Sequence, residues 1–194
     1  MINRELIRIK IVQLTYAYYQ NGNRNIDVAE KELLFSLSKA YHLYHYLLAL
    51  VVAVSKEARK HYDVEVARAN RENTAMPSSK FVDNKFAIQL EANQQLCDFI
   101  STQKQTWDDD IEFVRKLYSQ IVQSRIYTDY MSSDDSSYEA DRELWRKLYK
   151  TFIMENEELD ALLEEKSLYW NDDKEIVDTF VLKTIKRFDP ANDD

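Results

Sequence analysis

Apolar positions recur at helical spacing along most of this chain. Between Arg4 and Gln20, residues Ile7, Ile11, Leu14 and Tyr18 fall at i, i+4, i+7 and i+11 and predict one apolar stripe on a first helix. Arg4 and Arg8 stand four apart and share a face one turn apart. Asn21-Gly22-Asn23 then offers the chain's only glycine as a C-cap. Asp27 can cap a long second helix from about Val28, along which Leu33, Leu34, Leu37, Tyr41, Tyr44, Leu48, Val51 and Val52 keep helical spacing. Leu37, Tyr41, Tyr44 and Leu48 are expected to face the first helix. The stretch from Asn73 to Ser79, with Pro77, breaks the pattern.

A third helix is predicted over about Val82 to Gln103, with Phe86, Leu90, Leu96 and Ile100 inward. Thr106 or Asp108 can cap a fourth, which uses Ile111, Val114, Leu117, Ile121 and Val122, and a short continuation carries Tyr127 and Tyr130. Ser132 to Ser137 is a polar connector. Three closely spaced helices follow, over about Tyr138 to Glu155, Glu157 to Tyr169 and Asp172 to Phe188. Asn171-Asp172-Asp173 supplies capping and first-turn chemistry for the last of them. Their short loops predict a separate antiparallel bundle with a core of Trp145, Leu148, Phe152, Leu159, Leu162, Phe180 and Val181.

Composition supports an all-α reading. One Gly and two Pro in 194 residues are too few for the turns of an all-β or Rossmann-type chain. The expected fold is therefore antiparallel helical bundles of about six to eight helices. No signal peptide precedes the first helix, and no apolar run reaches the roughly 18 residues of a membrane span, so the expected location is cytoplasmic.

The formal net charge of −8 excludes non-specific nucleic-acid binding by the whole surface. The charge is unevenly spread, however. Up to His61 there are nine basic and five acidic residues, a local +4 that leaves −12 for the remainder. Salt screens charges beyond about 8 Å, so distant acids do not cancel a local basic patch. A basic helix face beside tyrosines is what a single-stranded RNA site needs: cations neutralise phosphates and rings accept unstacked bases. The alternative is an amphipathic helix whose arginines are simply solvated.

Other chemistry is sparse. Cys97 lies on a helix and is expected to be a small buried hydrophobe. His42 and His45 are three apart, but no third and fourth metal ligand accompanies them or His61 at useful spacing, so surface or packing roles are expected. The clusters Asp108-Asp109-Asp110, Asp134-Asp135 and Asp172-Asp173 suit helix starts and connectors and lack the calcium-loop glycine. One glycine cannot build a phosphate-cradling loop, and there is no serine elbow and no Cys-His pair. Trp107, Trp145 and Trp170 read as core or helix-end anchors. No cofactor, no metal and no enzymatic activity are expected.

The first helix resembles the opening of the bacterial transcription antitermination factor NusB family. That family begins with an arginine-rich run, then a Val-Gln pair, then a Leu-Tyr-x-aromatic segment. The matching residues are Arg4 and Arg8, then Val12 and Gln13, then Tyr16 and Tyr18. The stretches Leu144-Trp145-Arg146-Lys147-Leu148, Asn156-Glu157-Glu158-Leu159-Asp160 and Glu175 to Phe188 are similar, more loosely, to the family's core helices. Glu5 and Leu6 stand where the family usually has more arginine, and Glu5 would repel phosphate. The family's C-terminal Val-Asn-Gly-x-Leu-Asp type motif is absent, as expected either of a piece of a longer protein or of a chain that has lost that part.

The resemblance implies residues 1–54 as N-terminal NusB-like helices, 55–137 as a helical insertion of the kind found in longer members, and 138–194 as a three-helix bundle resembling part of the core. It also implies a function: binding of boxA-type single-stranded RNA together with the small-subunit ribosomal protein NusE, and joining transcribing RNA polymerase at ribosomal RNA operons. The RNA contacts it implies are Arg4, Arg8 and Tyr16, with Lys10 nearby. The alternative is a helical protein–protein adaptor that binds no RNA.

Overall fold

In the computed structural model, which describes residues 4–20 and 25–191, every regular element is helical. Nine α-helices and no strand are found among the described residues, one helix more than the upper expectation. They are α1 (Arg4–Gln20), α2 (Ile26–Glu72), α3 (Lys85–Ala92), α4 (Gln94–Thr102), α5 (Ile111–Val122), α6 (Arg125–Ser132), α7 (Tyr138–Leu148), α8 (Glu157–Lys166) and α9 (Leu168–Arg187). A π-helical turn over Tyr149–Ile153 extends α7, with the Met154 N–H donating to the Tyr149 carbonyl at 2.9 Å. The expected C-cap at Gly22 lies outside the described residues.

Local chemistry sets the helix ends. Asn25, not Asp27, begins α2: its Oδ1 accepts from the Asp27 N–H at 3.0 Å. Asn73, with φ of 51°, ends α2 in the left-handed region, where asparagine is better tolerated than most residues. The single helix expected over 82–103 is two. Asn93 has extended backbone and is at once the C-cap of α3 and the N-cap of α4, its Oδ1 accepting from Leu96 N at 3.0 Å. Ser124 and Ser137 cap α6 and α7 in the same way. Leu168 begins α9, so Asn171-Asp172-Asp173 lies inside that helix and caps nothing.

The helices group into two compact units. One comprises residues up to His45 with Glu157–Phe180, and the other Tyr46–Asn156 with the residues from Val181 onward. Helix α2 runs unbroken across the expected 54/55 border. The last three helices do not form a bundle of their own. α7 packs on α3 and α6 within the second unit, whereas α8 belongs to the first. The reason is the face Leu144, Trp145 and Leu148, which is buried on that side, with Phe81 at 5.8 Å from the Trp145 ring. Of the expected bundle core, Trp145, Leu148, Leu159 and Val181 are buried, while Phe152, Leu162 and Phe180 are half-buried.

A buried polar network joins α3, α6 and α7. Asp141 accepts from Tyr130 Oη at 2.6 Å and from Lys85 N at 2.8 Å, and Asn84 Nδ2 donates to the Asp141 carbonyl at 3.2 Å. Burial and the Asp141 hydrogen bond push the Tyr130 hydroxyl's pKa upward, so it remains a donor. The tryptophans are anchors, as read from the sequence. Trp107 Nε1 donates to the Tyr46 carbonyl at 2.8 Å and Trp170 Nε1 to the Lys39 carbonyl at 3.1 Å. Cys97 is exposed rather than buried, its Sγ 3.2 Å from the Glu91 carbonyl oxygen.

Helix α2 is long and apolar enough, by length and composition, to cross a membrane, in contrast to the reading of its apolar runs. Of its most apolar window, 67% is buried inside the protein, and the core helix of a soluble protein passes the same test.

Candidate nucleic-acid interface

Helix α1 carries two stripes offset by two residues, which is about 200° around a helix and therefore nearly opposite faces. Leu6 and Lys10 are buried, and Leu14 and Tyr18 continue their i, i+4 row half-buried beside Ile7 and Ala17. Arg4, Arg8, Val12, Tyr16 and Gln20 form the other row, and all are exposed. The inward row is only partly the one expected: Leu14 and Tyr18 belong to it, with Ile7 beside them, but Ile11 does not. Ile11, assigned inward by spacing, is 47% exposed, while Lys10 is only 3% exposed. Leu6→Ala should therefore cost about 2–3 kcal/mol, and Ile11→Ala should stay within about 0.5 kcal/mol, in thermal unfolding.

Lys10 occupies an apolar row because its ammonium is met there. Its Nζ lies 2.5 Å from Asp173 Oδ1 of α9, and both side chains are almost wholly buried. The long methylene stem fills space that a leucine would otherwise take. Nearby on α9, Lys174 Nζ sits 3.0 Å from Asp178 Oδ2 and 3.0 Å from Asp160 Oδ1 of α8. Burial raises the Asp173 pKa above the ordinary aspartate value, and the Lys10 ammonium opposes that rise. Lys10 is thus committed to the fold and is not turned toward an external phosphate, contrary to its place among the expected contacts.

The other three expected contacts lie together on the solvent row. Arg4 and Arg8 flank one turn of α1, and Tyr16 stands two turns beyond Arg8 at 68% exposure. Gln20 Nε2 donates to Tyr16 Oη at 3.0 Å, which restrains the ring from the C-terminal side. Glu5 is exposed beside Arg4, so the row presents two cations with one acid at its edge. Two further residues are exposed here: Val12, read from the sequence only as part of the Val-Gln pair, and Tyr19, which was not singled out. Val12 shares the row with Arg8 and Tyr16, and Tyr19 meets Tyr18 edge-on at 6.0 Å between centroids. The spacing already placed Val12 on this row, since it follows Arg8 by four.

The same unit also exposes apolar side chains on α2 and α9. Leu34, Phe35 and Tyr41 of α2 and Leu168 and Tyr169 of α9 are exposed, and Phe35 and Tyr169 meet edge-to-face at 5.4 Å. Two of the histidines make ring contacts within the protein. The His45 ring lies 4.2 Å from Tyr41 and 5.1 Å from Tyr44 with Nδ1 2.9 Å from the Tyr41 carbonyl, and burial lowers its pKa. His61 lies against Tyr118 at 5.0 Å, with Nε2 3.4 Å from Glu57. Among the described residues, no group of three or more His, Cys, Asp or Glu side chains is placed to hold a metal ion.

Compared with known proteins, the chain matches no protein-family model, no curated protein and no solved structure.

Proposed function

We propose that this chain is an RNA- and protein-binding transcription antitermination factor of the NusB type. It binds boxA-type single-stranded RNA together with the small-subunit ribosomal protein NusE, and joins transcribing RNA polymerase in the cytoplasm. It acts by binding, not by catalysis. The observation that carries this reading is the solvent row of α1. Arg4, Arg8 and Tyr16, the residues matching the family's RNA contacts, all lie on it, while Lys10 and Leu6 hold the opposite row to the protein. The two guanidinium groups supply phosphate contacts, and the Tyr16 ring supplies an apolar face for an unstacked base.

A titration with boxA RNA and with a scrambled RNA of equal length, in the presence of the NusE-type protein, tests the proposal. The boxA sequence should bind more tightly, and Tyr16→Ala should weaken it by about 1–3 kcal/mol. Equal affinity for the two RNAs would remove the antitermination reading.

A second reading is favoured by the Phe35–Tyr169 pair and the exposed apolar residues around it. Large apolar side chains left in solvent mark protein-binding surfaces more than RNA-binding ones. On that reading the protein is a helical adaptor, and its partner affinity is insensitive to Arg4 and Arg8.

A further inference from the structure

Within the second unit, α2, α4 and the turn before α5 line a half-open pocket of about 320 Å³. That is within the range of small-ligand sites. Its position follows from the sequence. Ala49 and Ala53 are small residues four apart on α2, so α2 leaves a recess where larger side chains would close it. Phe99 and Ile100 of α4 form part of the facing wall.

The aromatic wall is built before any ligand arrives. Tyr46 and Trp107 stack at 4.4 Å between centroids, and Trp107 stacks in turn on Phe113 at 5.9 Å. The indole N–H is fixed on the Tyr46 carbonyl, and Tyr46 Oη donates to Asp110 at 3.3 Å. With the Trp107 ring already engaged by two neighbours, the site offers apolar contact more than a platform for a cation.

The polar groups favour an anion. Lys56 and Lys60 stand one turn apart on α2 and are more than half exposed, which sets their ammonium groups at the open rim. Their acidic neighbours are loosely placed: Glu91 is 3.8 Å from Lys56 Nζ and Glu57 is 3.5 Å from Lys60 Nζ. Charge-assisted hydrogen bonds close to about 2.7–2.9 Å, and each ammonium has three donors, so both retain donors for a ligand. Asp108 is the single acidic residue of the lining, and it is exposed.

We propose that this pocket binds a small organic acid, its carboxylate held by Lys56 and Lys60 and its apolar body lodged against Tyr46, Trp107 and Phe99. The proposal does not depend on RNA binding by α1.

A titration with 4-phenylbutyrate followed by proton–nitrogen NMR tests it. The indole N–H signal of Trp107 should shift progressively to saturation, and those of Trp145 and Trp170 should not. The uncharged 4-phenylbutanol should bind about five- to tenfold more weakly, as two solvent-exposed charge contacts are lost. The double variant Lys56→Gln/Lys60→Gln, altered only at exposed positions, should lower the acid's affinity to that of the alcohol. Equal binding of acid and alcohol by the unaltered protein, or unchanged acid binding in the double variant, would overturn the anion assignment. No movement of Trp107 throughout the titration would overturn the site itself.

Discussion

Replacing Lys10 by methionine is expected to destabilise the protein by about 3–5 kcal/mol at neutral pH, because it leaves the buried Asp173 carboxylate without its ammonium. Methionine preserves most of the stem's volume, so the loss reports the charge and not a cavity. Burial already raises the Asp173 pKa, and removing Lys10 removes the opposing influence. The raised folded-state pKa means that the folded protein binds this proton more tightly than the unfolded chain. Its favourable contribution is complete below the ordinary aspartate range and is lost as pH rises through the raised value. The Lys10→Met deficit should therefore shrink on acidification and grow toward neutrality. The pair Lys10→Met/Asp173→Leu should recover most of the stability, since an apolar pair of similar size replaces a buried ion pair at little cost. Denaturant unfolding of the three proteins at acidic and neutral pH measures all of this. A Lys10→Met protein as stable as the parent at neutral pH would show that α1 is not held by this contact.

Trp145→Ala is expected to cost about 3–5 kcal/mol, the range for truncating a fully buried aromatic residue. Trp145 is 0% exposed and sits where α7 meets α3 and α6, with Phe81 against it. Its Nε1 has no hydrogen-bond partner among the described residues. A buried donor left without an acceptor is itself a cost, so Trp145→Phe recovers part of what its smaller ring loses in packing. The phenylalanine variant should thus fall much closer to the parent than to the alanine variant. Equal losses in the two variants would place the indole N–H in a hydrogen bond that the structure does not contain.

The helical character of the chain was legible because apolar spacing and the scarcity of glycine point the same way. The inward row of α1 was legible only in part, for one physical reason: Leu14 and Tyr18 follow from spacing, and Lys10 does not. Spacing assigns a lysine to solvent, and only Asp173, some 160 residues away in sequence, makes Lys10 an inward residue. Asn171-Asp172-Asp173 looked like a cap and is not one, because α9 begins earlier, at Leu168, and of the two acids Asp173 serves a tertiary partner. The break at Asn93 did leave a trace, since the six-residue step from Leu90 to Leu96 departs from helical spacing and an asparagine there can cap, but Phe86 with Leu90 and Leu96 with Ile100 keep the spacing on either side and the two runs read as one helix. Of the candidate contacts, Arg4, Arg8 and Tyr16 lie on one exposed row as their spacing required, since i, i+4 geometry is local. The packing partners of α7 were not accessible to such reasoning, because apolar faces of similar width do not specify which helix covers them.

The proposal that the exposed row of α1 receives RNA is tested most directly by the salt dependence of boxA binding, measured with the NusE-type protein present. Each phosphate contact on a single strand contributes about 0.7 to the slope of log K against log salt. The double variant Arg4→Ala/Arg8→Ala should therefore flatten that slope by about 1.4. Tyr16→Ala should lower affinity and leave the slope unchanged, and all three positions are exposed, so folding should be retained. An unaltered slope in the double arginine variant, with its melting intact, would contradict the account and leave the adaptor reading in its place.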